Sequence, residues 1–288
     1  MPQDHSVSKL ERLTVDAQGH PLTVWSRRPP DPQGVVVLLH GRTWGARTAF
    51  DFEPRAGSRS LLKALAAAGY ATYAVDLRGY GETARDRSGW LSPGRAAADV
   101  ESVLRFAANR HPALPLPVLL GWSRGSKIAA LIASGAHPPL GALILLGFTF
   151  DPNAALANGT GDGAAPAAPN TAESARSDFV SPEVANPALI HDFVAAALAA
   201  DPTRVDVCGD AEFLQIRPQA IRVPTLLLQG ARDPGIEPEV AAAFFSRLGC
   251  ADRRWIVIAR ADHAAHLEDT APQVGAAMVQ FLRAVLPH

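Results

Sequence analysis

Six apolar runs of six to eight residues recur along the chain, and helical patterns separate most of them. The runs are 34–41, 70–76, 116–121, 141–147, 223–230 and 254–259. Continuous apolar runs of this length are typical of strands that are buried on both faces of a sheet. The helical patterns are 58–69, 95–110, 126–135, 237–249 and about 271–286. This alternation predicts an α/β fold with a mostly parallel central sheet flanked by helices.

The alternation of strands and helices is interrupted in the middle of the chain. Residues 153–176 are rich in alanine, glycine, proline, asparagine and threonine and have no periodicity, which predicts a flexible loop. A helical pattern with an apolar stripe follows at 186–201. We therefore predict one α/β core made of residues 1–147 and 221–288, with a cap inserted at 148–220.

Composition and charge argue against several classes of partner. The chain has 288 residues, 48% hydrophobic and 19% charged, which is enough for one α/β domain with an insertion. Its net charge is −1 without a basic cluster, so we expect neither nucleic acid nor a membrane surface as a partner. No apolar run reaches about 20 residues, and no signal peptide pattern is visible. Cys208 and Cys250 lack metal-ligand spacing, and two free thiols favour a cytoplasmic location.

The segment GWSRG at 121–125 places a serine between two glycines, where a predicted strand ends and a predicted helix begins. In such a strand–turn–helix unit the serine hydroxyl is exposed at the carboxyl edge of the sheet, where open α/β folds bind ligands. The helix N-terminus favours negative charge that develops there. A serine in an ordinary turn is the alternative, but the flanking strand and helix favour Ser123 as a nucleophile.

A serine nucleophile needs a base that accepts its proton, and that base needs an orienting group. Two of the nine histidines, His263 and His266, follow the last predicted strand. His263 is nearer to the strand end and is the predicted base, whereas His266 is expected to pack beside it. His40 ends a buried strand, where a hydrogen-bonded structural histidine is expected.

Two aspartates are candidates for the orienting acid. Asp233 follows the run 223–230 by three residues, and Asp151 follows the run 141–147. An aspartate before a proline is also common in turns. The order Ser123, Asp233, His263 matches the order nucleophile, acid, base of hydrolases with this elbow. We predict Asp233 and keep Asp151 as the alternative.

Taken together, these segments resemble the α/β-hydrolase fold family over most of the chain outside the insertion. The resemblance is carried by LLHGRTW (38–44), DLRGYGET (76–83), GWSRG (121–125), LLLQGARDP (226–234) and ARADHAAHLE (259–268). It implies an oxyanion hole formed by the backbone N–H groups of Arg42 and Arg124. Two positions depart from the family pattern: Asp262 stands where glycine is usual, and Thr83 where serine is usual.

The resemblance also implies a hydrolase that transfers an acyl group to water without a metal or an organic cofactor. Members that open epoxides or remove halides generally have aspartate at the position of Ser123, and dienelactone-type members have cysteine. We predict a serine esterase or lactonase acting on a small to medium apolar molecule. A C–C bond hydrolase or a biosynthetic tailoring enzyme with the same triad is the alternative, and a non-catalytic binding protein of this fold is a further one.

Aromatic residues close to these motifs are candidates for contact with the substrate. They are Trp44, Trp122, His266 and Phe148. The phenylalanines of the insertion indicate an apolar cap over the site. The side chains of Arg42 and Arg124 either attract an anionic substrate or form structural ion pairs, and we favour the ion pairs.

Overall fold

The structure is a computed structural model that describes residues 9–55, 57–150, 159, 161–181 and 183–286. Its strands are β1 (Glu11–Ala17), β2 (His20–Arg27), β3 (Gly34–Leu39), β4 (Asp51–Phe52), β5 (Arg59–Ser60), β6 (Tyr70–Val75), β7 (Trp90–Leu91), β8 (Val118–Trp122), β9 (Ala142–Leu146), β10 (Asp206–Val207), β11 (Thr225–Gly230) and β12 (Arg253–Ile258). Its α-helices are α1 (Ala46–Phe50), α2 (Leu61–Ala67), α3 (Pro93–Arg110), α4 (Arg124–Ala133), α5 (Ala172–Arg176), α6 (Pro187–Ala200), α7 (Pro238–Ser246) and α8 (Ala271–Val285).

Eight of these strands form one central sheet in the order β1-β2-β6-β3-β8-β9-β11-β12. The six strands from β6 to β12 run parallel, and β1 and β2 are antiparallel at one edge. In this register Leu38 of β3 lies between Ala74 of β6 and Leu120 of β8. The predicted α/β class with a mostly parallel sheet is therefore confirmed.

The central strands are apolar throughout because helices cover both faces of the sheet. Every residue of β3, β6, β8, β9 and β11 is buried. Val36 and Leu38 of β3 belong to the core that includes side chains of α2 and α8. Val35, Val37 and Leu39 belong to the core that includes side chains of α3, α4 and α7. This double burial explains why the strands were visible as continuous apolar runs.

Two helix starts differ from the prediction by two residues each. Helix α3 begins at Pro93, since the Ser92 side chain accepts a hydrogen bond from the Arg95 backbone N–H and proline is favourable in the first turn. Helix α4 begins at Arg124, directly after Ser123. The first turn of α4 therefore lies closer to the serine than the sequence pattern indicated.

The described part of the segment between β9 and β11 adds no strand to the central sheet. It contributes α5, α6 and β10, and β10 pairs with β7 in a separate two-stranded sheet. Helix α5 lies inside the stretch 153–176 that was predicted to lack regular structure; capped by Thr171, it is too short to produce a periodic pattern. Residues 153–158 and 160 lie outside the described residues. The cap boundaries 148–220 stay a prediction.

Candidate active site

Ser123 lies in a strained turn between β8 and α4. Its φ is 56° and its ψ is −120°, a conformation that costs an L-residue about 1–3 kcal/mol. The turn is held because the Ser123 N–H donates to the Leu146 carbonyl (2.9 Å) and the Ser126 N–H donates to the Ser123 carbonyl (2.9 Å). The side chain of Ser123 is thereby directed away from the strand, at the carboxyl edge of the sheet.

The two glycines of GWSRG allow strand, turn and helix to pack closely. A Cβ at Gly121 would lie 2.4 Å from the Gly125 carbonyl oxygen. A Cβ at Gly125 would lie 2.4 Å from the carbonyl oxygens of Leu39 and His40, so β3 approaches α4 at this point. Since real Cβ atoms do not come this close to backbone, both positions require glycine.

The structure brings Ser123, His263 and Asp233 together at this edge of the sheet. His263 Nε2 lies 2.8 Å from Ser123 Oγ, and His263 Nδ1 lies 2.8 Å from Asp233 Oδ2. Asp233 is buried, and its Oδ1 accepts a hydrogen bond from the Gly235 N–H (3.0 Å). The alternative acid, Asp151, lies outside the described residues. This chain of contacts is the arrangement that turns a serine hydroxyl into a nucleophile.

Opposing effects act on the His263 imidazole. Burial lowers its pKa, but the hydrogen bond and charge of Asp233 raise it, and the charges of Asp178 and Glu268 add to the increase. The net result is a pKa above the ordinary value of histidine. The Trp122 indole N–H donates to the His263 carbonyl (3.0 Å). This hydrogen bond fixes the backbone of the loop that follows β12 and carries His263, which we call the histidine loop.

Arg42 and Arg124, whose backbone N–H groups are the predicted oxyanion donors, each follow a residue of the Ser123 turn or one packed against it. Gly41 packs against the serine, because a Cβ at Gly41 would lie 3.0 Å from Ser123 Cβ, and Arg42 is the next residue. Arg124 is the first residue of α4, where an N–H has no acceptor within the helix. Thr43 has a φ of 91°, so the loop after Arg42 turns sharply. Their role as oxyanion donors stays a prediction.

The side chains of the two arginines differ. Arg124 is largely buried, pairs with Asp210 (2.5 Å) and lies over the Phe213 ring (5.0 Å). This is the structural ion pair that we favoured for it. The side chain of Arg42 is exposed.

Comparisons with known proteins place the chain in a family. A sequence profile described as serine aminopeptidase, S33, matches residues 30–270, well over half of the chain. The chain belongs to this S33 family. It is 35% identical over 109 residues to a monoacylglycerol lipase of Mycolicibacterium smegmatis. The aligned residues make up 38% of this chain and 35% of the lipase. The match thus spans about a third of that curated relative.

Solved structures of other hydrolases share the fold of this S33 family member. Epoxide hydrolase A from Mycobacterium thermoresistibile has a TM-score of 0.67 at 19% identity, covering 97% of this chain and 99% of that one. Paleococcus ferrophilus monoacylglycerol lipase has a TM-score of 0.63 at 18% identity, covering 96% and 99%. Similarity at this level of identity confirms the predicted α/β-hydrolase fold.

The four predicted substrate contacts are nearly fully buried in this S33 family member. Trp44, Trp122, His266 and Phe148 are at most 3% exposed. The Trp44 indole N–H donates to Asp178, His266 Nε2 contacts the Ala49 carbonyl, and Phe148 packs on Phe244. These contacts are made within the protein, and contact of the four side chains with a substrate stays a prediction.

His266 and His40 are both structural in character. Burial lowers the pKa of His266 to about 3, so its ring is neutral near pH 7. Burial also lowers the pKa of His40 to about 4. His40 Nδ1 donates to the Gly41 carbonyl (2.8 Å), and His40 Nε2 accepts from the Leu77 N–H (3.2 Å). The structural role expected for His40 agrees with these contacts.

Two buried carboxylates that sequence reasoning missed hold the far end of the loop that follows β3. Asp201, at the end of α6, accepts hydrogen bonds from the N–H groups of Gly45 (2.8 Å) and Gly81 (2.7 Å). Asp76 accepts from the Ala46 N–H (2.7 Å) and the Trp25 indole (2.9 Å). Burial raises the pKa of Asp76 to about 6, although these hydrogen bonds oppose the increase. Asp201 could have been noticed in the sequence, because it is the last residue of the predicted helix 186–201.

A further pair of contacts joins the insertion to the histidine loop. The Ser181 backbone N–H and hydroxyl donate to the two carboxylate oxygens of Asp262, at 2.6 and 3.1 Å. The Asp262 N–H in turn donates to Glu268 Oε2 (2.9 Å). Burial raises the pKa of Glu268 to about 7. Asp262 stands where the resembled family usually has glycine, and its side chain attaches the insertion beside His263.

A surface cleft of about 1050 Å³ is lined by residues of the loop after β3, of α1 and of α6. Its walls include Trp25, Arg47 and Phe52, together with alanines of α6. Ser123 and His263 are not among the residues that line it.

Among the described residues, no group of three or more histidine, cysteine or acidic side chains is arranged to hold a metal ion. Within the same residues, no helix has both the length and the apolar character needed to cross a bilayer.

Proposed function

We propose that this S33 family member hydrolyses a carboxylic ester of a small to medium apolar acyl group through an acyl-enzyme. Ser123 is the nucleophile, His263 the general base and Asp233 the orienting acid. The observation that carries the proposal is the unbroken contact chain from Ser123 Oγ to His263 and on to Asp233, with both distances at 2.8 Å.

The geometry supports the usual sequence of proton transfers. His263 Nε2 accepts the Ser123 proton as Oγ attacks the ester carbonyl, and Asp233 stabilises the resulting imidazolium. The negative charge on the carbonyl oxygen is received by the backbone N–H groups of Arg42 and Arg124, where loss of one donor typically costs about 10²–10³ in rate. His263 then donates the proton to the leaving alcohol. Water, deprotonated by His263, attacks the acyl-enzyme and releases the acid and Ser123.

Two further observations support ester cleavage over other reactions of the fold. The residue at the turn is serine, whereas family members that open epoxides generally use aspartate at this position. The partial sequence match is to a protein named as a monoacylglycerol lipase. An ester between an alcohol and an apolar acyl chain is the substrate class that both observations favour.

Labelling with a serine-directed fluorophosphonate tests the nucleophile. Intact-mass measurement of the parent protein should show a single adduct, and Ser123→Ala should show none. Hydrolysis of p-nitrophenyl butyrate should fall by about 10⁴-fold or more in Ser123→Ala. A parent protein without an adduct, or a Ser123→Ala variant labelled as fast as the parent, would overturn the proposal.

A second substitution tests the acid. Asp233→Asn should lower kcat by several orders of magnitude, because His263 loses the group that holds its tautomer. The Asp151→Asn variant is the matched control. If Asp151→Asn abolished turnover and Asp233→Asn did not, Asp151 would be the acid.

A further inference from the structure

Asp178 brings a carboxylate from the insertion to the catalytic site. It follows α5 by two residues, and its Oδ2 accepts a hydrogen bond from the Trp44 indole N–H (2.7 Å). Trp44 lies two residues after Arg42, on the loop that begins at the end of β3. The side chain of Asp178 therefore crosses from the insertion to the loop that flanks Ser123.

The charge of Asp178 acts on the catalytic histidine. Asp178 raises the pKa of His263, and His263 lowers that of Asp178 in return. Burial has the larger effect on Asp178 and raises its pKa to about 6, so the carboxylate is mostly ionised at neutral pH. The two residues are 85 positions apart in the chain but lie within electrostatic reach of each other across the site.

The other two acids that act on His263 already have partners. Asp233 is bonded to His263 itself, and Glu268 accepts the N–H of Asp262. Asp178 differs from them, because its Oδ1 accepts no hydrogen bond from any described residue and is not enclosed. No lysine or arginine is among the charges that act on Asp178 in the described part of the chain. It is a carboxylate with one fixed oxygen and one oxygen available.

Aromatic rings pack around Trp44, which holds this carboxylate, and around Phe179, its neighbour in the chain. The Trp44 ring meets Phe193 edge-on at 6.4 Å, and Phe179, the residue after Asp178, meets Phe193 at 5.2 Å. In ligand sites with apolar walls, a small number of placed polar atoms determines the orientation of the ligand. A charged acceptor without a cation in such a place is costly unless a ligand supplies the donor.

We propose that Asp178 is a specificity-determining residue whose free oxygen accepts a hydrogen bond from a hydroxyl or ammonium group on the alcohol part of the ester. The inference rests on the proposed function. It narrows the substrate class to esters that carry a hydrogen-bond donor close to the reacting carbonyl. The same carboxylate repels substrates with a carboxylate in that place.

Three butyrate esters test this assignment on the full chain. Propyl butyrate has no donor, glyceryl monobutyrate has hydroxyls, and 2-(dimethylamino)ethyl butyrate has an ammonium N–H when protonated. We measure kcat/KM for each by titrating the released acid at pH 7.5. The parent should prefer one donor-bearing ester to propyl butyrate by about tenfold or more, the range expected for a hydrogen bond to a charged group. The ester that is preferred identifies the donor.

Asp178→Asn is the deciding variant. Its amide oxygen can still accept from Trp44, which leaves an NH₂ group in place of the free acceptor. The preference for the donor-bearing ester, measured as the ratio of its kcat/KM to that of propyl butyrate, should fall by about tenfold. Asp192→Asn, on α6 where Asp192 pairs with the exposed Arg55, is the matched control and should keep the preference of the parent.

The outcomes separate the two proposals. If Asp178→Asn leaves the preference unchanged, or lowers kcat/KM for all three esters equally, Asp178 has only a structural role and the inference is wrong. If the parent cleaves none of the esters and takes up no fluorophosphonate, the proposed function fails and the inference fails with it. Should Asp178→Asn not fold, Trp44→Phe removes the N–H that fixes the carboxylate and should also lower the preference.

Discussion

Ser181 donates two hydrogen bonds to Asp262, the residue that precedes His263 in the chain. Asp262 is fully buried, and it stands where the resembled family usually has glycine. The insertion is thus attached directly to the loop that carries His263, the proposed general base. The contact of Asp178 with Trp44 attaches the insertion to the loop after β3 as well, so the insertion contacts loops on both sides of the site.

Breaking the link at Asp262 should slow catalysis without removing the nucleophile. In Asp262→Asn one of the two acceptor oxygens that Ser181 uses becomes an NH₂ group, so the Ser181 hydroxyl has to accept instead of donate, and the charge that strengthens both hydrogen bonds is removed. We expect kcat/KM for p-nitrophenyl butyrate to fall about tenfold or more, with one fluorophosphonate adduct still formed at completion. Ser181→Ala keeps the backbone bond and should cost about threefold or less. A larger loss in Ser181→Ala than in Asp262→Asn would contradict this account.

The acid limb of the pH–rate profile should report the environment of His263. The imidazole must be neutral to accept the Ser123 proton, so kcat/KM falls as the pH falls through its raised pKa. In Asp178→Asn one of the charges that raises this pKa is gone, and the midpoint should move to lower pH. Glu268 and Asp233 also act on His263 and are unchanged in this variant. A profile of kcat/KM from pH 5 to 9 checks the shift, and an unmoved midpoint would refute it.

The strain at Ser123 should be visible in stability. Ser123→Ala and Ser123→Gly both remove the hydroxyl, but only glycine adopts φ 56°, ψ −120° without strain. Relief of about 1–3 kcal/mol of strain is offset by about 0.5–1 kcal/mol of extra chain entropy in the unfolded glycine variant. We therefore expect Ser123→Gly to be more stable than Ser123→Ala by about 1 kcal/mol in urea unfolding. If Ser123→Gly is instead less stable than Ser123→Ala by about 0.5–1 kcal/mol, only the entropy of glycine remains and the turn is not strained.

The sheet and the three residues of the contact chain were accessible from sequence for one physical reason. Strands buried on both faces are written as continuous apolar runs, and parallel strands direct their carboxyl ends to the same edge. Ser123, Asp233 and His263 each follow such a run closely, so their proximity could be inferred. The elbow glycines were also visible, since close packing permits no side chain there.

The contacts made by the insertion could not be inferred in this way. Trp44 and Asp178 are 134 residues apart, and the segment around α5 has no period that would place it in space. Residue type also does not show how deeply a side chain is buried: Trp122 and His266 lie beside the motifs and are buried in contacts with the rest of the protein. Burial is decided by packing between distant segments, which a local pattern does not contain.

Because His266 is neutral in the folded protein, its burial should make the free energy of unfolding depend on pH. A substitution that removes the titrating ring should remove this dependence. Its folded pKa of about 3 lies below the ordinary value of 6.5, so below pH 6.5 the unfolded chain takes up a proton that the folded protein does not. Stability is lost as the pH falls, with a slope of about 1.4 kcal/mol per pH unit. His266→Gln can still donate to the Ala49 carbonyl but does not titrate.

Urea unfolding of the parent and His266→Gln at pH 8 and pH 5 measures this contribution. Relative to its value at pH 8, the difference in unfolding free energy at pH 5 should move by about 2 kcal/mol in favour of His266→Gln. Asp76 and Glu268, whose raised pKa values act with the opposite sign, are present in both proteins and cancel in the difference. If the difference is the same at both pH values, His266 is protonated in the folded protein, and the Ala49 contact belongs to an imidazolium.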